Sequence, residues 1–365
     1  MHVGAGIIFQ NPGKTRTDRE VYEIDLGFAD LVEPFGFNSI WTVEHHFTDY
    51  TMCPDALQFL TWMAARTKHI QLGSMVVVLP WHDPMRVAEQ VSMLDNLSGG
   101  RVILGMGRGA GRIEFDGFGV PMKESRERFV ESAEMLLKGL EQGHCEYDGE
   151  FVQQRKADIR PAPFKSFKGR TYAAAVSPES SRIMAELGVG LLIIPQKPWK
   201  EVDRELANYR EIYLEINGTS APPPILAGWT YCDENPERAR EMARQHIGGY
   251  LHTVLEHYEF AKKPLNDTKG YEYYGNIAEK ISQHGEDGFI EFFMNLQIFG
   301  TPNECYNRII EFTERTGAES FVGVFSYAGM APDEAENNMR LFSETVLPRL
   351  QIPPQIATKN ARSPS

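Results

Sequence analysis

The sequence predicts an α/β fold, specifically a (β/α)8 TIM barrel, on three observations. Eight short apolar runs recur along the chain, segments of helical period separate them, and each β-then-α unit takes about 40 residues. The runs are GAGIIF (Gly4 to Phe9), SIWTV (Ser39 to Val43), IQLGSMVVVL (Ile70 to Leu79), RVILGMG (Arg101 to Gly107), RTYAAAV (Arg170 to Val176), GLLII (Gly190 to Ile194), ILAGWTY (Ile225 to Tyr231) and SFVGVFS (Ser320 to Ser326). None alternates apolar with polar residues, as befits parallel strands covered on both faces. A doubly wound open sheet shares this order of elements; the count of eight favours the barrel.

Helices fill the gaps. One starts at Pro84 with Val87, Val91 and Leu94 on a single face, and another runs through Phe129, Ala133, Leu136 and Leu140. Asp83-Pro84 and Ser177-Pro178 each place a capping side chain before a proline whose missing N–H is not needed in a first turn. Residues 1–350 are expected to form one barrel domain, with two insertions. The first, about 142–168 after the fourth strand, reads as a hairpin; the second, about 245–300 after the seventh, is long enough to cover the active-site end. The tail 351–365 is expected to be disordered.

Composition narrows the function. The chain has 365 residues, 42% of them hydrophobic, enough for a large core. Lys+Arg 37 against Asp+Glu 50 gives a net charge of -13, which disfavours nucleic acid and anionic membrane as partners. Cys53, Cys145, Cys232 and Cys305 lie too far apart for a zinc-type spacing or a disulfide framework. No signal peptide and no membrane-spanning run is visible, so a cytoplasmic location is expected.

Two motifs sit where a barrel places chemistry. WTVEHHFTDY (Trp41 to Tyr50) puts Glu44, His45 and His46 just past the second strand. Adjacent histidines diverge from an extended chain and no second ligand group has a recognisable spacing, so no metal is expected. Glu44 and His46 read as hydrogen-bonded loop anchors, and His45, with an imidazole that titrates near neutrality, as an acid/base group. GMGRGAG (Gly105 to Gly111) superficially matches a dinucleotide fingerprint, but GRIEFDGFGVP is expected to separate it from the next helix, near Lys123. The glycines then shape a loop that brings Arg108, Arg112 and Arg126 to one end of the barrel. SPESS (Ser177 to Ser181) adds a helix N-terminus, a second element that attracts anions. Surface arginines and an ordinary capped helix are the competing reading.

Taken in order, EHHFTDY, MVVVLPWHDPMRVAEQVSMLDNLSGGR, LGMGRG, FGVPMKESRERF and VSPESS resemble the bacterial luciferase-like family of flavin-dependent monooxygenases. The resemblance covers roughly Met1 to Ile194 and, more loosely, the last strand. It implies a two-component enzyme that takes reduced FMN from a separate NAD(P)H:flavin reductase. The reduced FMN would react with O2 through a C4a-(hydro)peroxyflavin and oxygenate a small organic substrate. By the family pattern Arg108, Arg126, and Glu179 and Ser180 would hold the phosphate, an unusual place, since barrels more often bind phosphate after strands seven and eight. His45 falls on the family's active-site histidine, and a non-proline cis peptide is implied at Met75-Val76, against the flavin. Gly107 stands where the luciferases carry a cysteine, so light emission and long-chain aldehyde oxidation do not carry over. Trp41, Trp81, His82 and Trp229 are candidates for the substrate pocket, with core packing as their competing role. A homodimer or higher homo-oligomer is expected.

Two rivals remain open. A deazaflavin-dependent oxidoreductase of the same fold would use F420 to move a hydride, and a flavin-binding protein would have no activity. Substrate and reaction subtype, whether hydroxylation, Baeyer–Villiger insertion or C–S or C–N cleavage, are not legible.

Overall fold

Parallel strands close into a barrel in the computed structural model, which describes residues 1–174, 178–259 and 277–352. In chain order the strands are β1 (His2–Ile7), β2 (Ser39–Thr42), β3 (Gln71–Ser74), β4 (Val77–Val78), β5 (Val102–Gly107), the hairpin β6 (His144–Asp148) and β7 (Gln153–Asp158), β8 (Thr171–Ala174), β9 (Gly190–Ile193), β10 (Ile225–Cys232), β11 (Ile298–Gly300) and β12 (Ser320–Val324). The ring closes where β12 pairs with both β10 and β1, Val322 lying between Ala227 and Gly4. That closure separates the barrel from an open sheet. β3 and β4 are one barrel strand interrupted at a cis Met75-Val76 peptide, and both pair with β5.

The helices are α1 (Asp18–Leu31), α2 (Ala56–Arg66), α3 (Pro84–Ser98), α4 (Arg112–Phe118), α5 (Ser125–Gln142), α6 (Pro178–Glu186), α7 (Trp199–Asn217), α8 (Pro236–His257), α9 (Ile277–Met294), α10 (Pro302–Thr316), α11 (Pro332–Thr345) and α12 (Leu347–Gln351). Their starts follow local chemistry. Thr17 and Glu20 form a reciprocal capping box on α1, and the Asp83 carboxylate accepts from the Arg86 N–H ahead of the Pro84 turn. Val87, Val91 and Leu94 of α3 and Phe129, Ala133, Leu136 and Leu140 of α5 are buried against the strands.

Inside the barrel Trp41, Ile103, Leu192, Ile225, Ala227 and Val322 form a separate apolar layer. Trp41 dominates it. A Cβ on Gly73 would stand 2.3 Å from the Trp41 ring, so glycine at that position is what admits the indole. Below this layer Arg170 holds Asp95 through two parallel bonds of 2.7 and 2.8 Å, linking β8 to α3.

Two expectations change, the loop after the glycines and the start of the second excursion. A helix, α4, begins at Arg112 directly after the glycine loop, so the stretch read as a loop is helical; what excludes a dinucleotide fold is the closed barrel. The excursion at 142–168 is the β6–β7 hairpin. The second excursion starts later than residue 245, because α8 runs unbroken from Pro236 to His257. Its returning limb contains α9 and β11, which extends the sheet beside β10. Ser177, residues 260–276 of that excursion, and the tail from residue 353 lie outside the described residues. Among the described residues no helix is long and apolar enough to cross a membrane, and the four cysteines are buried and unbridged.

Candidate active site

The C-terminal ends of the barrel strands open into a cavity of about 270 Å³. Its wall takes Glu44 and His45 from beyond β2, Met75 and Val76 from the cis link, Arg108 from beyond β5 and Trp229 from β10. Gly107 closes this part of the wall. A Cβ there would stand 2.2 Å from Val76 Cγ2, so glycine lets the cis link sit against the end of β5.

One sector of the wall is cationic. Arg126, in the first turn of α5, has a side chain only 11% exposed and pairs through Nη1 with the exposed Glu179 carboxylate at the start of α6. Its Nε and Nη2 are buried without a hydrogen-bond partner. Buried guanidinium N–H groups are rarely left so, because each carries the full cost of desolvation. Arg108 and Ser180 line the same cavity. An anion with several acceptor oxygens, such as a phosphate, would satisfy the two buried Arg126 nitrogens. Lys197, buried beside them on the wall, is paired with Glu205 at 2.5 Å.

Another sector is built from imidazoles and carboxylates. Glu114, fully buried in α4, accepts from His45 Nδ1 at 3.0 Å and from the His46 backbone N–H at 2.9 Å. Its other oxygen lies 3.6 Å from His257 Nε2, at the end of α8. Burial alone would raise the Glu114 pKa; the charge on His45, the nearby His257 imidazole and the hydrogen bond from His45 outweigh it and hold the carboxyl at about 2. His257 moves down from the usual imidazole range because it is buried, although Glu114 pulls the other way. Its ring stacks on Tyr50 and its Nδ1 meets Thr48 Oγ1 at 2.8 Å.

Glu44 holds a second cluster. Its Oε1 binds His46 Nε2 at 3.1 Å and His82 Nε2 at 2.7 Å, and its Oε2 accepts from the Val78 N–H. Burial opposes ionisation, yet the hydrogen bonds from His46 and His82 leave the Glu44 pKa below its ordinary value. The same contact raises His82 despite its burial. The cluster ties the loop after β2 to the loop after β4 and so fixes the backbone that carries His45.

The structure brings His45, Met75, Val76, Arg108, Arg126, Ser180, Trp81 and Trp229 onto one cavity. Glu179 stands just outside it, on Arg126. Trp41 is not on the wall: it fills the barrel interior and donates its indole N–H to Ser39 at 2.8 Å. His82 is likewise absent from the wall and is engaged by Glu44. Arg112 opens α4 away from the lining. The indole N–H groups of Trp81 and Trp229 are buried without partners.

Sequence reasoning missed Glu114, His257, Tyr50 and Tyr250. Glu114 left one trace, an acidic residue flanked by Ile113 and Phe115. His257 left none, since nothing local distinguishes it from a surface histidine. The Tyr50 and Tyr250 hydroxyls, 2.5 Å apart, join the loop after β2 to α8.

Known proteins resemble this chain in sequence and in fold. An alkanal monooxygenase alpha chain from a Kryptophanaron alfredi symbiont is 27% identical over 91% of this chain and 94% of its own. The oxygenase component of a flavin-dependent trigonelline monooxygenase from Acinetobacter baylyi is 27% identical over 69% of this chain and 72% of its own. The crystal structure of a Streptomyces bottropensis monooxygenase superposes with a TM-score of 0.80 at 24% identity, covering 96% of this chain and 99% of that one, a likeness of fold. The luciferase-like monooxygenase family profile matches residues 1–320, and the chain is therefore an enzyme of the luciferase-like monooxygenase family.

Proposed function

We propose that the protein is the oxygenase component of a two-component system, binding reduced FMN in the barrel mouth and using O2 to oxygenate a small organic substrate. The observation that carries this reading is the pair of buried, unpartnered nitrogens of Arg126 on a cavity that also holds His45. Arg126, Arg108 and Ser180 would hold the phosphate, and the Met75-Val76 link would lie against the ring system. Reduced FMN supplies the activation of O2. A deazaflavin, with carbon in place of the reactive ring nitrogen, hands on hydride instead, so monooxygenation favours FMN over F420.

The chain's own residues do four things in this scheme. Arg126 binds and orients an anionic end. Val76, Trp229 and Tyr250 present apolar surface that excludes water from the reacting end. Glu114 fixes the His45 ring through Nδ1. That leaves Nε2 of His45 to hold or deliver a proton at the cavity. Among the described residues no separate nicotinamide-binding domain is present, in keeping with supply from a separate reductase. Trp62, Met93 and Leu97, exposed on the neighbouring helices α2 and α3, support a homo-oligomer. Anaerobic titration with reduced FMN and reduced F420 in parallel tests the reading: FMN is expected to bind one to one. Selective binding of F420 would contradict it.

A further inference from the structure

We propose that His45, Glu114 and His257 form a binding site for one divalent transition-metal cation, an ion that takes His45 out of proton exchange when bound. The three residues come from the loop after β2, from α4 and from the end of α8. One ligand atom from each lies within 4.8 Å of the other two. His45 Nδ1 lies 3.0 Å from Glu114 Oε1 and His257 Nε2 lies 3.6 Å from Glu114 Oε2, so each imidazole stands beside one carboxylate oxygen at close to the roughly 3.3 Å between neighbouring ligands of a tetrahedral ion whose bonds are about 2.0–2.1 Å, and a single oxygen serving both needs a turn of the carboxylate. The widest gap contracts on coordination.

A second observation points to a ligand between these groups. Glu114 Oε2 and His257 Nε2 are both buried and have no hydrogen-bond partner, on side chains 0% and 1% exposed. Where Thr48 accepts the Nδ1 hydrogen of His257, Nε2 presents a lone pair to a carboxylate oxygen, an arrangement that a cation resolves.

The supporting contacts resemble those that orient metal ligands. Thr48 holds the far nitrogen of His257 at 2.8 Å, and the His46 N–H holds Glu114 Oε1. His45 and Glu114 line the cavity, so the ion would enter from the barrel mouth and keep an open position facing it. Two histidines and one carboxylate suit Zn²⁺, Co²⁺ or Fe²⁺ rather than Mg²⁺ or Ca²⁺. His46 takes no part, since Glu44 engages it; the adjacent pair in the sequence diverges, and the second and third ligands come from α4 and α8.

The test uses the full chain, stripped with a chelator and free of flavin. Titration with Zn²⁺ by calorimetry, and with Co²⁺ by visible absorption, is expected to give one equivalent. His257→Asn and His45→Asn should each weaken binding at least tenfold, and His46→Asn should change it less than twofold, with melting curves confirming that each variant folds. No stoichiometric binding, or full affinity retained in both His257→Asn and His45→Asn, would overturn the site and leave a shared proton between Glu114 and His257. Because flavin is absent throughout, the result does not depend on whether FMN is the cofactor.

Discussion

His45 and Glu114, 69 positions apart in the chain, meet through Nδ1 and Oε1 at 3.0 Å on the wall of the barrel cavity. The contact sets His45 Nδ1 against a buried carboxylate, which holds the ring in one orientation and leaves Nε2 for the proton exchange proposed above. A histidine on a loop thereby gains the fixed geometry of one on a helix. The account of the site rests on that pair and on Arg126.

Glu114→Gln tests the carboxylate. With a folded-state pKa of about 2 against an ordinary 4.5, Glu114 contributes stability that is fully present above pH 4.5 and is lost as pH falls through about 2. The glutamine variant is expected to be less stable at neutral pH and to have a shallower loss of stability between those two values. Denaturant midpoints measured across that range check it, and parallel curves for the two proteins would remove Glu114 from the acid response.

His45→Ala and His46→Ala separate proton work from loop anchoring. The first should raise hydrogen peroxide release relative to substrate oxygenation and, because it removes a partner of buried Glu114, should also lower the melting temperature. The second breaks a contact to buried Glu44 and should cost about 1–3 kcal/mol of stability. Peroxide assay and thermal melts distinguish them. Unchanged coupling in His45→Ala would return His45 to a structural role.

Arg126→Ala should weaken reduced FMN binding by about 1–3 kcal/mol, through loss of charge-assisted bonds to the phosphate. Riboflavin, which lacks the phosphate, provides the control: its affinity should hardly change. Anaerobic fluorescence titration measures both, and an equal loss for the two ligands would assign Arg126 to packing.

Asp95→Asn should destabilise the fold by about 3–5 kcal/mol without altering flavin affinity, because it leaves the buried Arg170 guanidinium short of its two-bond partner, away from the cavity wall. Chemical denaturation and flavin titration on the same variant check the separation. A change in affinity would tie the contact between α3 and the start of β8 to the site more closely than the geometry does.

The barrel was legible because its signal is local: each of the eight runs is continuously apolar, and all eight fall on barrel strands, displaced by two residues at most except in the third run. There IQLGSMVVVL reads as one strand, whereas the observed pairing stops at Ser74 and resumes at Val77. α4 was missed because its capping residue is Gly111, whose side chain offers no signal. Half of the site could be read from the motifs around His45, Arg108 and Arg126. Its other half could not, since Glu114 and His257 acquire meaning only when strand closure and α8 bring them to His45. Trp41 shows the reverse error: an aromatic residue beside a motif invites a functional role, but Gly73 makes room for it in the interior.

The central claim is that this cavity holds reduced FMN for reaction with O2. Its most direct test mixes the anaerobic complex of protein and reduced FMN with oxygenated buffer and follows flavin absorbance by stopped flow. The account predicts that oxidised FMN returns more slowly on the protein than free in solution, and that Arg126→Ala moves the time course towards that of free flavin. Reoxidation indistinguishable from free FMN at protein concentrations that saturate binding would contradict it.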